Sequence, residues 1–206
     1  MEGRLAVCNM SIEGGARAGY INPDETTYVY LKGREYVPEG EAFEERKAYW
    51  ESVASDDDAE YDDVVTVDAD GLDPLVTWGI NPGQVIEISE PVPHPDDFEA
   101  RTDREAAEQA LDHMEIEAGQ SMLGYEVDVA FLGTCTNGRL SDFEEAAKIL
   151  EGNTVDEDVR ALAVPGSETV RQQCEERGID EVFINAGFQW RRAGCSMCLA
   201  MNDDAL

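Results

Sequence analysis

One alternation in the last third of this sequence restricts its fold more than any other feature. Residues 127–132, 159–164 and 181–184 are short apolar runs with strand character. Between the first two stands Ser141-x-x-Glu144, a capping box opening a helix that turns Phe143, Ala147 and Leu150 inward and stops at Gly152. Between the second and third, Ser167 caps a helix through Val170 and Cys174 that Gly178 ends. Strand, helix, strand, helix, strand folds as a parallel sheet with right-handed crossovers, so the class is α/β. Ligands of such sheets sit at the carboxyl ends of the strands. Three loops leave those ends: 133–137, 165–167 and 185–187.

The rest of the chain is less regular. Residues 1–36 are dense in glycine and small side chains, which suits close approach to a ligand or another backbone. A helix is expected over 41–52 with Phe43, Lys47 and Trp50, then a solvated acidic loop at 55–60, then a short strand at 64–67. Four of the eight prolines fall within 79–100, which marks irregular chain, and a domain boundary is placed at 95/96. The expected domains are thus 1–95 and 96–206. A further capping box, Thr102-x-x-Glu105, opens a helix with Ala107, Leu111 and Met114 on one face.

Charge narrows the function classes. The 15 Lys and Arg against 46 Asp and Glu leave a formal charge of −31. A nucleic-acid binder needs basic surface to neutralise phosphates, and docking on an anionic membrane needs the same, so neither nucleic acid nor membrane is expected as a partner. No stretch is long and apolar enough to span a bilayer, and a cytoplasmic protein is expected. Such a charge repels itself unless salt screens it, and at molar salt the Debye length is about 3 Å. The expectation is a halophilic protein.

The five cysteines, Cys8, Cys135, Cys174, Cys195 and Cys198, are an odd number, which argues against a disulfide framework. Cys135 lies just past the first strand of the sheet. Cys195 and Cys198 form a CxxC about ten residues past the third. Three thiolates from two loops at one sheet edge suit an iron–sulfur cluster with one open iron. A zinc site, a redox CxxC and inert thiols remain open on spacing alone. Cys174 reads as a buried hydrophobe and Cys8 as structural. His94 reads as a loop residue, His113 as exposed on its helix, Phe188 and Trp190 as packing, and Arg191-Arg192 as a local salt-bridge pair.

At these residues the sequence resembles the aconitase family of iron–sulfur hydro-lyases. The matching stretches are CNMSIEGGARAG at 8–19, PDETT at 23–27, VTWGINPGQV at 76–85, FLGTCTNGR at 131–139, VPGS at 164–167 and AGFQWRRAGCSMCLAMN at 186–202. The last of these is similar to the isopropylmalate branch. Gly138 and Ile80 depart from residues common in the family. The resemblance implies a three-layer α/β/α aconitase-like fold with cluster loops at the strand ends. It implies that Cys135, Cys195 and Cys198 ligate a [4Fe–4S] cluster and that Asn9 and Glu13 approach the cluster and its substrate. The implied reaction interconverts 2-isopropylmalate and 3-isopropylmalate through the alkene, in leucine synthesis, with a hydroxy-acid substrate and a separate small subunit as partner. A homoaconitase or citramalate-type isomerase is the alternative within the family, and a non-catalytic iron–sulfur or zinc module the alternative outside it. Family members are longer at both ends, so the resemblance also implies a partial chain, a cluster-binding core inactive alone.

Overall fold

The computed structural model describes residues 1–200 and 204. The chain divides into two compact units, Met1–Tyr125 and Glu126–Leu206. This division falls later than the 95/96 boundary, because the helix after it packs on what precedes it.

The first unit begins with helices α1 (Glu2–Met10), α2 (Glu25–Leu31) and α3 (Glu41–Ser52). The Asp24 carboxylate accepts from the Thr27 N–H and so caps α2. It also takes a two-pronged contact from the Arg4 guanidinium at 2.6 and 2.7 Å, which ties α1 to α2. Helix α3 covers the expected span and buries Phe43, with the Trp50 ring edge-on to it at 6.1 Å and stacked on Tyr28 of α2 at 6.3 Å. The acidic run after α3 is loop, as expected. The strand expected at 64–67 does not form: Val64, Val65 and Val67 are exposed in irregular chain. That run lies among acidic residues and, among the described residues, has no partner strand to complete its backbone hydrogen bonds.

Strands β1 (Leu75–Thr77) and β2 (Val85–Glu87) pair antiparallel, Val76 opposite Ile86. Helix α4 (Arg101–Met114) lays Ala107, Ala110 and Leu111 against Trp78, Val92 and Ile116. The small alanines let the helix approach the indole closely. Met114, expected on the inner face, sits at the helix end and is exposed. The expected capping box is absent as well. The helix starts at Arg101, so Thr102 already lies inside it, and Glu105 pairs with Arg101 at 3.1 Å.

The second unit carries the parallel sheet that the sequence implies. Strands β3 (Val129–Leu132), β4 (Arg160–Ala163) and β5 (Gln189–Trp190) lie side by side in that order, all parallel. Helices α5 (Leu140–Leu150), α6 (Glu168–Glu176) and α7 (Ile179–Ala186) pack over one core. Helix α5 starts one residue earlier than its expected box. Asp142 accepts from the Arg139 N–H at 2.9 Å, while Glu144 pairs with Arg177 of the α6–α7 corner. Ser167 does cap α6, accepting from Val170 N–H at 3.2 Å.

The third strand is not where the sequence places it. Residues 181–184 belong to α7. The buried residues Ile179, Phe183 and Ala186 follow a helical stripe, and glycines with positive φ, Gly178 at 70° and Gly187 at 104°, bracket the element. The strand comes after Gly187, where Gln189 and Trp190 pair with Leu162 and Ala163. The loop at 185–187 is therefore a helix end, and the loop on the carboxyl edge of the third strand opens at Arg191.

Candidate cluster-binding edge

Because β5 ends at Trp190, the CxxC lies only a few residues beyond the sheet. The Arg191 N–H donates to the Ala163 carbonyl at 2.9 Å, and the chain then runs directly into Gly194 and Cys195. Cys195 opens a short 3₁₀ turn, Ser196–Leu199, in which Cys198 N–H donates back to the Cys195 carbonyl at 3.0 Å. Ser196 and Ala200 both hold left-handed backbone, at φ 48° and 50°, which is uncommon for residues with a Cβ. Met201 and Asn202, the end of the matching motif, lie outside the described residues.

Cys135 is carried by the loop after β3. This loop is closed against the loop after β4 by backbone packing that only glycine permits. The Gly166 N–H donates to the Gly138 carbonyl at 2.7 Å. A Cβ on Gly166 would stand 2.7 Å from the Thr134 oxygen and 2.9 Å from the Gly138 oxygen. A Cβ on Gly138 would meet the Thr134 oxygen at 2.2 Å, so a serine there needs the Thr134-Cys135 turn to shift.

All five cysteines are free thiols. Cys135 and Cys198 are exposed, and Cys195 is half-buried. Among the described residues no three His, Cys, Asp or Glu side chains come together as a metal site. The fold thus delivers Cys135, Cys195 and Cys198 to one edge of one sheet, on the loops after β3 and β5, without gathering their sulfurs at a point. The donor set itself, three unpaired thiols with two reaching solvent, fits a soft metal centre ligated by cysteine. Cys174 is different. It is fully buried on α6, and burial, with Asp180 and Glu144 adding to it, pushes its thiol up to about 11. It packs as a hydrophobe, as expected.

Asn9 and Glu13 belong to the first unit. Asn9 lies in the last turn of α1 and Glu13 in the turn that follows, both exposed. Gly19 lies tightly on this corner: a Cβ there would come within 2.5 Å of the Cys8 carbonyl oxygen. The close backbone approach expected of the glycine-rich segment is thus made to α1 itself. His94 and His113 are exposed. Phe188 and Trp190 pack in the aromatic core.

Sequence reasoning missed two groups. Gln84 closes the turn after β1: its Oε1 accepts from Ile80 N–H at 2.7 Å and its amide donates to the Ala106 carbonyl at 3.3 Å. Asp204 is buried against Ser196, Arg191 and Arg160. The pair expected for Arg191 therefore exists, with a partner well along the chain, whereas Arg192 is exposed. Nothing in the composition around Asp204 marks it, since it follows another aspartate in a chain full of exposed acids.

A profile of the aconitase family (aconitate hydratase) matches residues 1–206. The chain belongs to the aconitase family. It is 59% identical over 207 residues to a protein named 3-isopropylmalate dehydratase large subunit from Halorubrum lacusprofundi. It is 58% identical to the protein of that name from Haloferax volcanii and 57% to that from Synechocystis. Each match covers all of this chain and 44% of the relative, so this aconitase-family chain spans less than half the length of the curated relatives it matches. Among its described residues, no helix is long and apolar enough to cross a membrane.

Proposed function

We propose that the whole protein is a hydro-lyase that interconverts 2-isopropylmalate and 3-isopropylmalate in leucine synthesis, working in the cytoplasm with a separate small subunit. The observation that carries this reading is the end-to-end likeness of this chain to proteins named 3-isopropylmalate dehydratase large subunit, at 59% identity for the first. The three free thiols on two loops of one sheet edge support it.

Cys135, Cys195 and Cys198 would hold a [4Fe–4S] cluster. When bound, such a group supplies Lewis acidity toward the substrate hydroxyl and carboxylate. The remaining steps fall to side chains. Glu13, solvent-accessible in the turn after α1, gives a proton to the departing hydroxyl, so that it leaves as water, and recovers the proton on rehydration. The Asn9 amide donates a hydrogen bond to a substrate or water oxygen and fixes its orientation. The carbon-bound proton goes to a base on the small subunit. The acidic surface, 46 carboxylates against 15 basic side chains, keeps the protein hydrated and dispersed in a salt-rich cytoplasm.

The test is anaerobic reconstitution of this chain with iron and sulfide. Bound iron, acid-labile sulfide and visible absorbance are expected, and Cys135→Ser, Cys195→Ser and Cys198→Ser should each remove most of them while Cys174→Ser leaves them intact. Equal retention in all four variants overturns the ligand assignment. The activity is tested in the full-length protein with its small subunit, following alkene absorbance from 3-isopropylmalate. Absence of turnover there, with cluster bound, overturns the substrate assignment.

A further inference from the structure

Asp204 is unusual for its surroundings. Among the described residues of this acidic chain it is the only fully buried carboxylate, 3% exposed. Burying an acid is costly unless charge and hydrogen bonds compensate, and here both do. One oxygen contacts the Arg191 guanidinium and lies 3.7 Å from that of Arg160. The other accepts the Ser196 hydroxyl proton at 2.8 Å. Ser196 is itself 2% exposed, stands between Cys195 and Met197, and is one of the few non-glycine residues with positive φ. Left-handed backbone is costly for a residue with a Cβ and persists where surrounding contacts hold it, which the Ser196 hydroxyl bond to Asp204 does here. The tie runs further. Arg191 is bonded through its backbone N–H to the end of β4, and Arg160 lies on β4 itself.

We propose that Asp204 is a positioning residue that clasps the turn holding Cys195 and Cys198 from inside, fixing it to β4 through two arginines. The inference rests on the reading of these cysteines as cluster ligands. A CxxC reaches one centre only in a narrow range of turn conformations, and Ser196 in the left-handed region is the residue that sets this one. The bond to Asp204 holds the backbone of the turn before any metal arrives, which lessens the reorganisation left to the two thiols on binding.

The test uses the metal-free chain and three variants, Asp204→Ala, Asp204→Asn and, as control, Asp158→Asn, an exposed acid beside β4 at its amino end. Alkylation of each cysteine by a thiol reagent is followed by peptide mass spectrometry. In Asp204→Ala, Cys195 should label about 10-fold faster, with Cys135 and Cys174 unchanged, and iron and sulfide retention after reconstitution should fall by about the same factor. Asp204→Asn keeps an acceptor for Ser196 but loses the charge for the arginines, and should fall between. Asp158→Asn should match the wild type. Wild-type labelling and retention in Asp204→Ala overturn the clasp. So does a rise at Cys174 in step with Cys195, which makes Asp204 a general stability residue. If the wild type binds no iron and sulfide yet Cys195 alone speeds up in Asp204→Ala, the cluster reading fails and the clasp stands.

Discussion

Replacing Phe183 by alanine tests whether the aromatic core holds the cysteine-bearing edge. Phe183 is fully buried on α7. Its ring centroid lies 5.4 Å from Phe143, 5.2 Å from Phe188 and 5.8 Å from Trp190, which is the last residue of β5. Deletion of a buried phenylalanine costs about 3–5 kcal/mol. The three aromatic contacts place Phe183 toward the upper end, since each geometry of this kind adds roughly 0.5–1.5 kcal/mol beyond area burial. Domains are stable by about 5–15 kcal/mol in all, so the variant loses a large part of its margin. Urea unfolding in molar salt, read by circular dichroism and by tryptophan fluorescence, measures it. With a slope of about 1–3 kcal/mol per molar urea, the midpoint should fall by at least about 1 M. The functional consequence should follow the structural one: Trp190 leads directly into Arg191 and the CxxC turn, so iron retention should fall in the folded variant too. A midpoint within about 0.3 M of the wild type would refute the reasoning, because it would mean that the core repacks around the gap.

Three further outcomes are expected. Gly166→Ala should weaken iron retention and lower the urea midpoint, since its Cβ meets two backbone oxygens below 3.0 Å; a variant that matches the wild type in both removes the argument for loop closure. The Arg4 guanidinium, by hydrogen bonding first and charge second, holds the Asp24 carboxyl down to about 2 from its usual 3.8. A depressed carboxyl stabilises the fold above pH 3.8 and loses that contribution as pH falls through about 2, so carboxyl NMR titration should show Asp24 rise toward the ordinary range in Arg4→Gln, with the Thr27 N–H still holding it partly down. Far-UV circular dichroism should show more regular structure in molar KCl than in dilute buffer, because a charge of −31 repels itself when unscreened; identical spectra would end the halophile reading.

What was legible in the sequence was whatever rests on local periodicity. Residues 129–132 and 160–163 read as strands because buried β-strands are short apolar runs, and α3 reads as a helix from one end to the other. The segment at 181–184 misled for the same reason. Val182, Phe183 and Ile184 make an apolar triplet that a short window cannot assign, and only the wider spacing of Ile179, Phe183 and Ala186 reveals the helix. Both missed caps, at Thr102 and Ser141, lie two residues past the observed N-caps Ala100 and Arg139, a difference of the size by which helix ends commonly fray or extend.

The candidate site divides along the same line. That Cys135 and the CxxC belong to one sheet edge follows from topology, which an alternation of strands and helices specifies even when one strand is misplaced. With β5 at Gln189–Trp190, the second cysteine loop leaves the carboxyl edge directly. What holds each loop in shape was not legible, because it depends on contacts between distant residues: Gly166 against Thr134 and Gly138, and Asp204 against Ser196. Neither leaves a periodic trace. The two loops are also held by different means, backbone against backbone around Cys135 and a buried charge beneath Cys195. They should therefore fail independently, Gly166→Ala releasing Cys135 and Asp204→Ala releasing Cys195. Cysteine labelling of the two variants reads that separation directly. If both thiols were freed together in either variant, the edge would be one cooperative unit and the two-clasp description would be wrong.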